Sequence, residues 1–237
     1  MNSTASSPVV QKIVTLLGVI LFCYVVNIYS HITLIAPHLS VSSLLPAQTF
    51  ERHFWQFVFG FTAIVMLSRG HLWSFGINSK NLKQSMKWLV WLYVAMVSVT
   101  FLSRMMDVDL LPIKKEQLPS GIGGTMLILL MYWMSSPVAN QILFFGVGQT
   151  LLMKQFGDNG KVAGVPLTVY IAAILFSIFG TDSSFAVGNL SSLTTFVVGL
   201  FCGIVYCKTG SLITPMLGHA FVFGFPLVIE LLSSRIL

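Results

Sequence analysis

From Ile13 to Ala36 the chain holds no aspartate, glutamate, lysine or arginine, and six more apolar runs follow. A helix rises about 1.5 Å per residue, so roughly twenty apolar residues cross the hydrocarbon of a bilayer. The later runs are Phe54 to Leu67, extended at its start by Phe50, then Trp88 to Leu102, then a long one from near Gly121 through Pro137 towards Met153. Val165 to Phe179, Leu193 to Tyr206 and Leu212 to Leu232 complete the set. The run around Pro137 is too long for one straight crossing, so the proline is expected to mark a kink or a break before a second membrane-embedded helix. Composition agrees: of 237 residues 55% are hydrophobic and 8% charged, and mean hydropathy is +0.86. No soluble domain of this size needs so much apolar surface. The expected fold is all-α, a polytopic integral membrane helical bundle of about seven transmembrane spans, six to eight being the range.

Charge sets the expected orientation. With the N-terminus inside, the inner segments carry Lys12, Arg69, Lys80, Lys83, Lys87, Lys154, Lys161 and Lys208. The outer ones carry Arg52, Arg104, Lys114, Lys115 and Arg235, so eight basic residues face five. Glu51, Asp107, Asp109, Glu116 and Asp182 fall outside and Asp158 inside. The bias places the N-terminus in the cytoplasm. The net charge of +6 does not indicate nucleic acid, because the basic residues are scattered singly without an aromatic platform. Cys23, Cys202 and Cys207 lie in apolar runs with no nearby histidine, as buried small hydrophobes do. The first run lacks a small-residue cleavage site, which favours a retained span over a removed signal peptide. The polar stretch from Ser68 to Met86 reads as a cytoplasmic connector touching anionic headgroups, with a short basic amphipathic helix as the alternative. His31 reads as an interfacial residue, Glu230 and Arg235 as a snorkelling pair, and the Gly121 to Gly124 run as a place where the fourth helix starts or bends.

Polar side chains within such runs are costly and mark function. The sequence Ser136-Pro137-Val138-Ala139-Asn140-Gln141-Ile142-Leu143-Phe144-Phe145-Gly146 contains two adjacent carboxamides. Further on come Phe176-Ser177-Ile178-Phe179-Gly180, then a glycine-rich helix from Gly199 through Gly203 to a basic turn at Lys208, then Gly218-His219-Ala220-Phe221-Val222-Phe223. Over roughly Thr125 to Phe225 this order resembles the CPBP family of intramembrane proteases, which includes CAAX-processing and bacteriocin-processing enzymes. That family's motifs are Pro-x-x-Glu-Glu-x-x-x-Arg-Gly, Phe-x-x-x-His and His-x-x-x-Asn. The resemblance keeps Pro137, Gly146, Phe176 and His219. It puts Asn140 and Gln141 where the family has glutamates, Phe145 for its arginine, Gly180 for its second-motif histidine and Phe223 for its asparagine. By this resemblance residues 121–237 form a CPBP-like membrane core, and residues 1–120 supply N-terminal transmembrane helices and loops.

In that family, the resemblance implies, a glutamate activates water and histidines polarise the scissile carbonyl. A carboxylate can accept the proton, whereas a carboxamide oxygen accepts hydrogen bonds with negligible basicity. Asn140, Gln141, Phe145, Phe176, Gly180, His219 and Phe223 are therefore read as a vestigial site with no confident catalytic residue. No three-ligand metal set survives, and no cofactor is expected. Ser135, Ser136, Ser177, Ser191 and Ser192 lack a nucleophile signature, and serines in spans commonly serve packing. The expected role is a non-catalytic membrane protein that binds or regulates a membrane partner, such as a cell-wall enzyme or sensor kinase, or that confers bacteriocin immunity. An active CAAX-type endopeptidase acting on prenylated or leader peptides is the alternative, and a small transporter subunit is a third. The expected partners are the lipid bilayer and another membrane protein or peptide, with the chain in the cell membrane of a bacterium.

Overall fold

The structure is a computed structural model that describes residues 7–30, 47–79, 81–105, 136–157, 160–180 and 190–220. The Gly121 to Gly124 run, His31, Glu116, Asp182, Phe223, Glu230 and Arg235 lie outside them. Helix α1 (Pro8–Ser30) starts where local chemistry allows. Pro8 lacks an N–H that the first turn would leave unpaired, and the Ser7 hydroxyl accepts a hydrogen bond from the Val10 amide at 3.3 Å. Helix α2 (Ala47–Ser68) is followed by a single 3-10 turn, Leu72–Phe75, and by α3 (Leu82–Met105). Helix α4 is a continuous helical run described from residue 136. Its middle, Gln141–Gln149, is wound as a π-helix, and it returns to α-helix over Thr150–Phe156.

A two-residue hairpin joins α4 to the next helix. Strands β1 (Lys161–Val162) and β2 (Val165–Pro166) pair antiparallel, and Ala163 and Gly164 between them both have positive φ, as the tight primed turn requires. Helices α5 (Leu167–Phe179) and α6 (Leu190–Thr209) follow, and a last helical segment, α7, is described over residues 213–220. The close approach of α6 rests on two small residues four apart. A Cβ on Gly199 would come within 2.7 Å of the Phe176 ring, and one on Gly203 within 2.9 Å of Val169. Small-xxx-small spacing of this kind lets membrane helices bring their backbones together.

The buried core gathers around α4. Every residue from Asn140 to Thr150 is buried, and Val19 and Cys23 of α1, Ile64 of α2, Phe176 of α5 and Cys202 of α6 close over it. A helix buried on all sides needs neighbours on all sides. Cys23, Cys202 and Cys207 are free thiols, the first two fully buried. Among the described residues α1 is the one helix both long and apolar enough to cross a membrane, while α5 and residues 195–209 of α6 are shorter apolar helices. The protein is thus mostly helical with one clear apolar span.

Two readings of the N-terminal half change. Glu51 and Arg52, expected in an outer loop, lie within α2 and are buried, because the helix already runs from Ala47. Arg52 therefore leaves the count of loop charges. The polar stretch from Ser68 to Met86 divides into the 3-10 turn and the first turns of α3, so Lys83 and Lys87 belong to the third helix itself.

That stretch is fixed to the turn between α6 and α7. The Leu212 amide donates to the Gly76 carbonyl at 2.9 Å, the Asn78 side-chain amide to the Gly210 carbonyl at 2.9 Å, and the Ser211 hydroxyl to the Asn78 carbonyl at 2.7 Å. Gly76 has φ +82°, and a Cβ there would strike the Tyr206 ring, so both conformation and space demand glycine. The Lys154 ammonium stands over the Phe75 ring at 4.0 Å and Lys12 over Phe156 at 5.8 Å. The start of α1, the end of α4, the α2–α3 connection and the α6–α7 turn therefore share one end of the bundle.

Candidate functional site

Asn140 and Gln141 enter the core on the turn where α4 passes from α to π winding. Short π segments within helices recur at functional positions. The two carboxamides take different partners. The Gln141 amide nitrogen lies 3.3 Å from His219 Nδ1. An amide nitrogen can only donate, so with this orientation Nδ1 accepts and the ring carries its proton on Nε2. Asn140 donates instead to the Ser136 hydroxyl and to the Gly180 carbonyl, each at 3.3 Å. It thereby caps the end of α5, where carbonyls have no helical partner.

Aromatic rings fill the space beside the imidazole. Phe176 meets the His219 ring edge-on, with centroids 5.6 Å apart, and packs in turn on Phe144 at 5.7 Å and Phe145 at 5.9 Å. Gly180 closes α5, and a Cβ there would lie 2.5 Å from the Phe176 ring and 2.6 Å from its carbonyl oxygen. A side chain at position 180 therefore requires Phe176 to move. Ser177 donates to the Ser192 carbonyl at 2.8 Å and so ties α5 to α6, while Ser136 accepts from Asn140 one turn along α4.

Helix α2 adds residues that sequence reasoning missed. Gly60 packs against Ile142 and Leu143, and Ile64 packs against the Gly146 position, so this stripe of α2 faces α4. Going back along it by helical periods reaches Gln56 and His53. Both are buried, and His53 Nδ1 lies 3.0 Å from Gln56 Oε1, an acceptor, so Nδ1 donates. Helix α2 thus carries a buried imidazole on the stripe that faces α4. Next to it the Arg52 guanidinium donates to Asn27 Oδ1 and to the Phe179 carbonyl, both at 2.9 Å, joining α1, α2 and the end of α5. Glu51 accepts from the Trp55 indole at 3.3 Å. The available signal was the pair His53 and Gln56 on the same helical face as Gly60, visible once the second helix is begun before Phe54.

Asn140 Oδ1, Gln141 Oε1 and Gln56 Nε2 are among the buried side-chain polar atoms without a hydrogen-bond partner in the described residues. No group of three or more histidine, cysteine, aspartate or glutamate residues among the described residues is placed to hold a metal.

Residues 122–224 match the profile of the Rce1-like family, described as type II CAAX prenyl endopeptidase Rce1-like. The match covers less than half of the chain, and the likeness is to this segment. The match spans every position described above from Asn140 to His219 and agrees with the CPBP resemblance read from the motifs. Neither the curated proteins nor the solved structures contain a match to the chain. The Rce1-like family is membrane-embedded, in keeping with the apolar α1.

Proposed function

We propose that this protein is a non-catalytic Rce1-like membrane protein that binds or regulates another membrane protein or peptide. The observation that carries the reading is the Gln141–His219 hydrogen bond. By the resemblance two carboxamides, Asn140 and Gln141, stand where the family has glutamates, and Gln141, which donates to the imidazole, has no basicity with which to deprotonate water. Gly180 strengthens the reading, because by the resemblance the family has a histidine at that position and glycine brings no imidazole. The scaffold is retained while its chemistry is gone, as in a protein kept for binding. A cell-wall enzyme, a sensor kinase or an imported bacteriocin has the right character for the partner. About seven spans with a cytoplasmic N-terminus in a bacterial cell membrane complete the proposal. Mild-detergent pull-down from host membranes should recover one partner in a fixed ratio, and recovery of the protein alone would overturn the reading.

A second reading is favoured by one observation. Glu51 is buried and lies two residues from His53, so α2 carries a carboxylate close to the site. In a hydrolase of this design Glu51 would serve as base with His53 and His219. Two residues along a helix turn the side chain by about 200°, however, which sends Glu51 and His53 to different faces. Its carboxylate is also engaged by Trp55. Cleavage of a prenylated peptide that disappears in Glu51→Gln would establish this hydrolase.

A further inference from the structure

The first three turns of α3 form a surface unrelated to the site above. Lys83, Lys87 and Trp91 recur every four residues, with Gln84 and Trp88 beside them, so all five share one side of the helix. Together with Asn81 they line a groove of about 840 Å³. Both lysines are exposed, Trp88 is half-buried and Trp91 is 69% exposed. The same side continues with Val90 and Val94, both exposed. From Arg52 to Met106 the sequence contains no aspartate or glutamate, so neither α3 nor its connection to α2 holds an acid, and the acid of α2, Glu51, is buried and engaged by Trp55.

We propose that this groove binds one anionic phospholipid. The two ammonium groups meet the headgroup phosphate and its neighbouring anionic charge, the tryptophans hold the glycerol region, and an acyl chain lies along Val90 and Val94. The order of chemistry along the helix selects this occupant. Cations come first and an exposed apolar stripe follows, which matches an amphiphile and not a soluble acidic peptide. Length agrees as well. From Lys83 to Val94 the helix rises about 16 Å at about 1.5 Å per residue, close to the depth of one leaflet, about 15 Å. Tryptophan and lysine at a membrane boundary act in this manner, ring at the headgroup level and cation towards the phosphates.

The test titrates short-chain phosphatidylglycerol, and phosphatidylcholine for comparison, into the full-length protein in detergent, reading tryptophan emission. Phosphatidylglycerol should bind more tightly, and added salt should narrow the difference. Lys83→Gln or Lys87→Gln should each weaken phosphatidylglycerol about 5-fold and the double variant about 30-fold, while Lys83→Arg with Lys87→Arg keeps it. Trp91→Leu should weaken both lipids alike. Unchanged binding of phosphatidylglycerol by the double glutamine variant would overturn the proposal. So would an equal loss in Lys208→Gln, which would reveal only the diffuse field of the basic end, or equally tight binding of poly-glutamate, which would make the occupant an acidic peptide.

Discussion

Helices α4 and α3 dispose of their polar side chains in opposite ways. On α4, Asn140, Gln141, Gln149 and Thr150 all point into the protein, and each has a partner on a neighbouring segment. Gln149 donates to the Gly203 carbonyl at 3.0 Å, and Thr150 shares a hydrogen bond with Tyr206 at 2.6 Å. On α3, Lys83, Gln84 and Lys87 point outwards, and the exposed apolar residues follow them on the same side. The first arrangement fixes helices to one another, because a buried polar atom must find a partner or stay unpaired at a cost. The second leaves polarity available to something outside the chain. Interior polarity on α4 therefore reports on how this bundle is held, and exterior polarity on α3 reports on what surrounds it.

Substitutions should divide along that line. Phe176→Ala removes a ring packed on Phe144, Phe145 and His219, and should cost about 3–5 kcal/mol in an unfolding titration in mixed micelles. Arg52→Met leaves Asn27 Oδ1 and the Phe179 carbonyl without their donor, with an expected loss of about 2–3 kcal/mol by the same measurement. Gln141→Leu keeps the volume and removes one hydrogen bond and one unpaired oxygen together, so the change should be no more than about 0.6 kcal/mol. On α3, Lys87→Gln should leave the melting temperature where it was, since it touches nothing inside. A large loss of stability from Lys87→Gln, or none from Phe176→Ala, would erase the contrast between the two helices.

The sequence displays part of this arrangement. The helical class follows from the apolar runs, and the convergence of Gln141 with His219 follows from motif order, since each lies at a family position. The partner of Asn140 was not legible, because a backbone carbonyl at Gly180 has no signature in the residue string. The contribution of α2 was hidden for a different reason. Glu51, Arg52 and His53 look like a polar loop when hydropathy is read by windows, and only the packing of Gly60 against α4 shows which way that helix faces. The π winding of Gln141–Gln149 also escapes a period of 3.6, since it buries residues on every side and leaves no amphipathic stripe to detect.

The proposal that the domain lacks hydrolytic chemistry is tested most directly by one assay. Purified full-length protein in lipid nanodiscs is incubated with a farnesylated peptide ending in a CAAX sequence, and the products are read by mass spectrometry. The expected result is an intact peptide, both for the wild type and for Asn140→Glu with Gln141→Glu, because Gly180 still supplies no imidazole. Release of the terminal tripeptide by the wild type, abolished by His219→Ala, would contradict it.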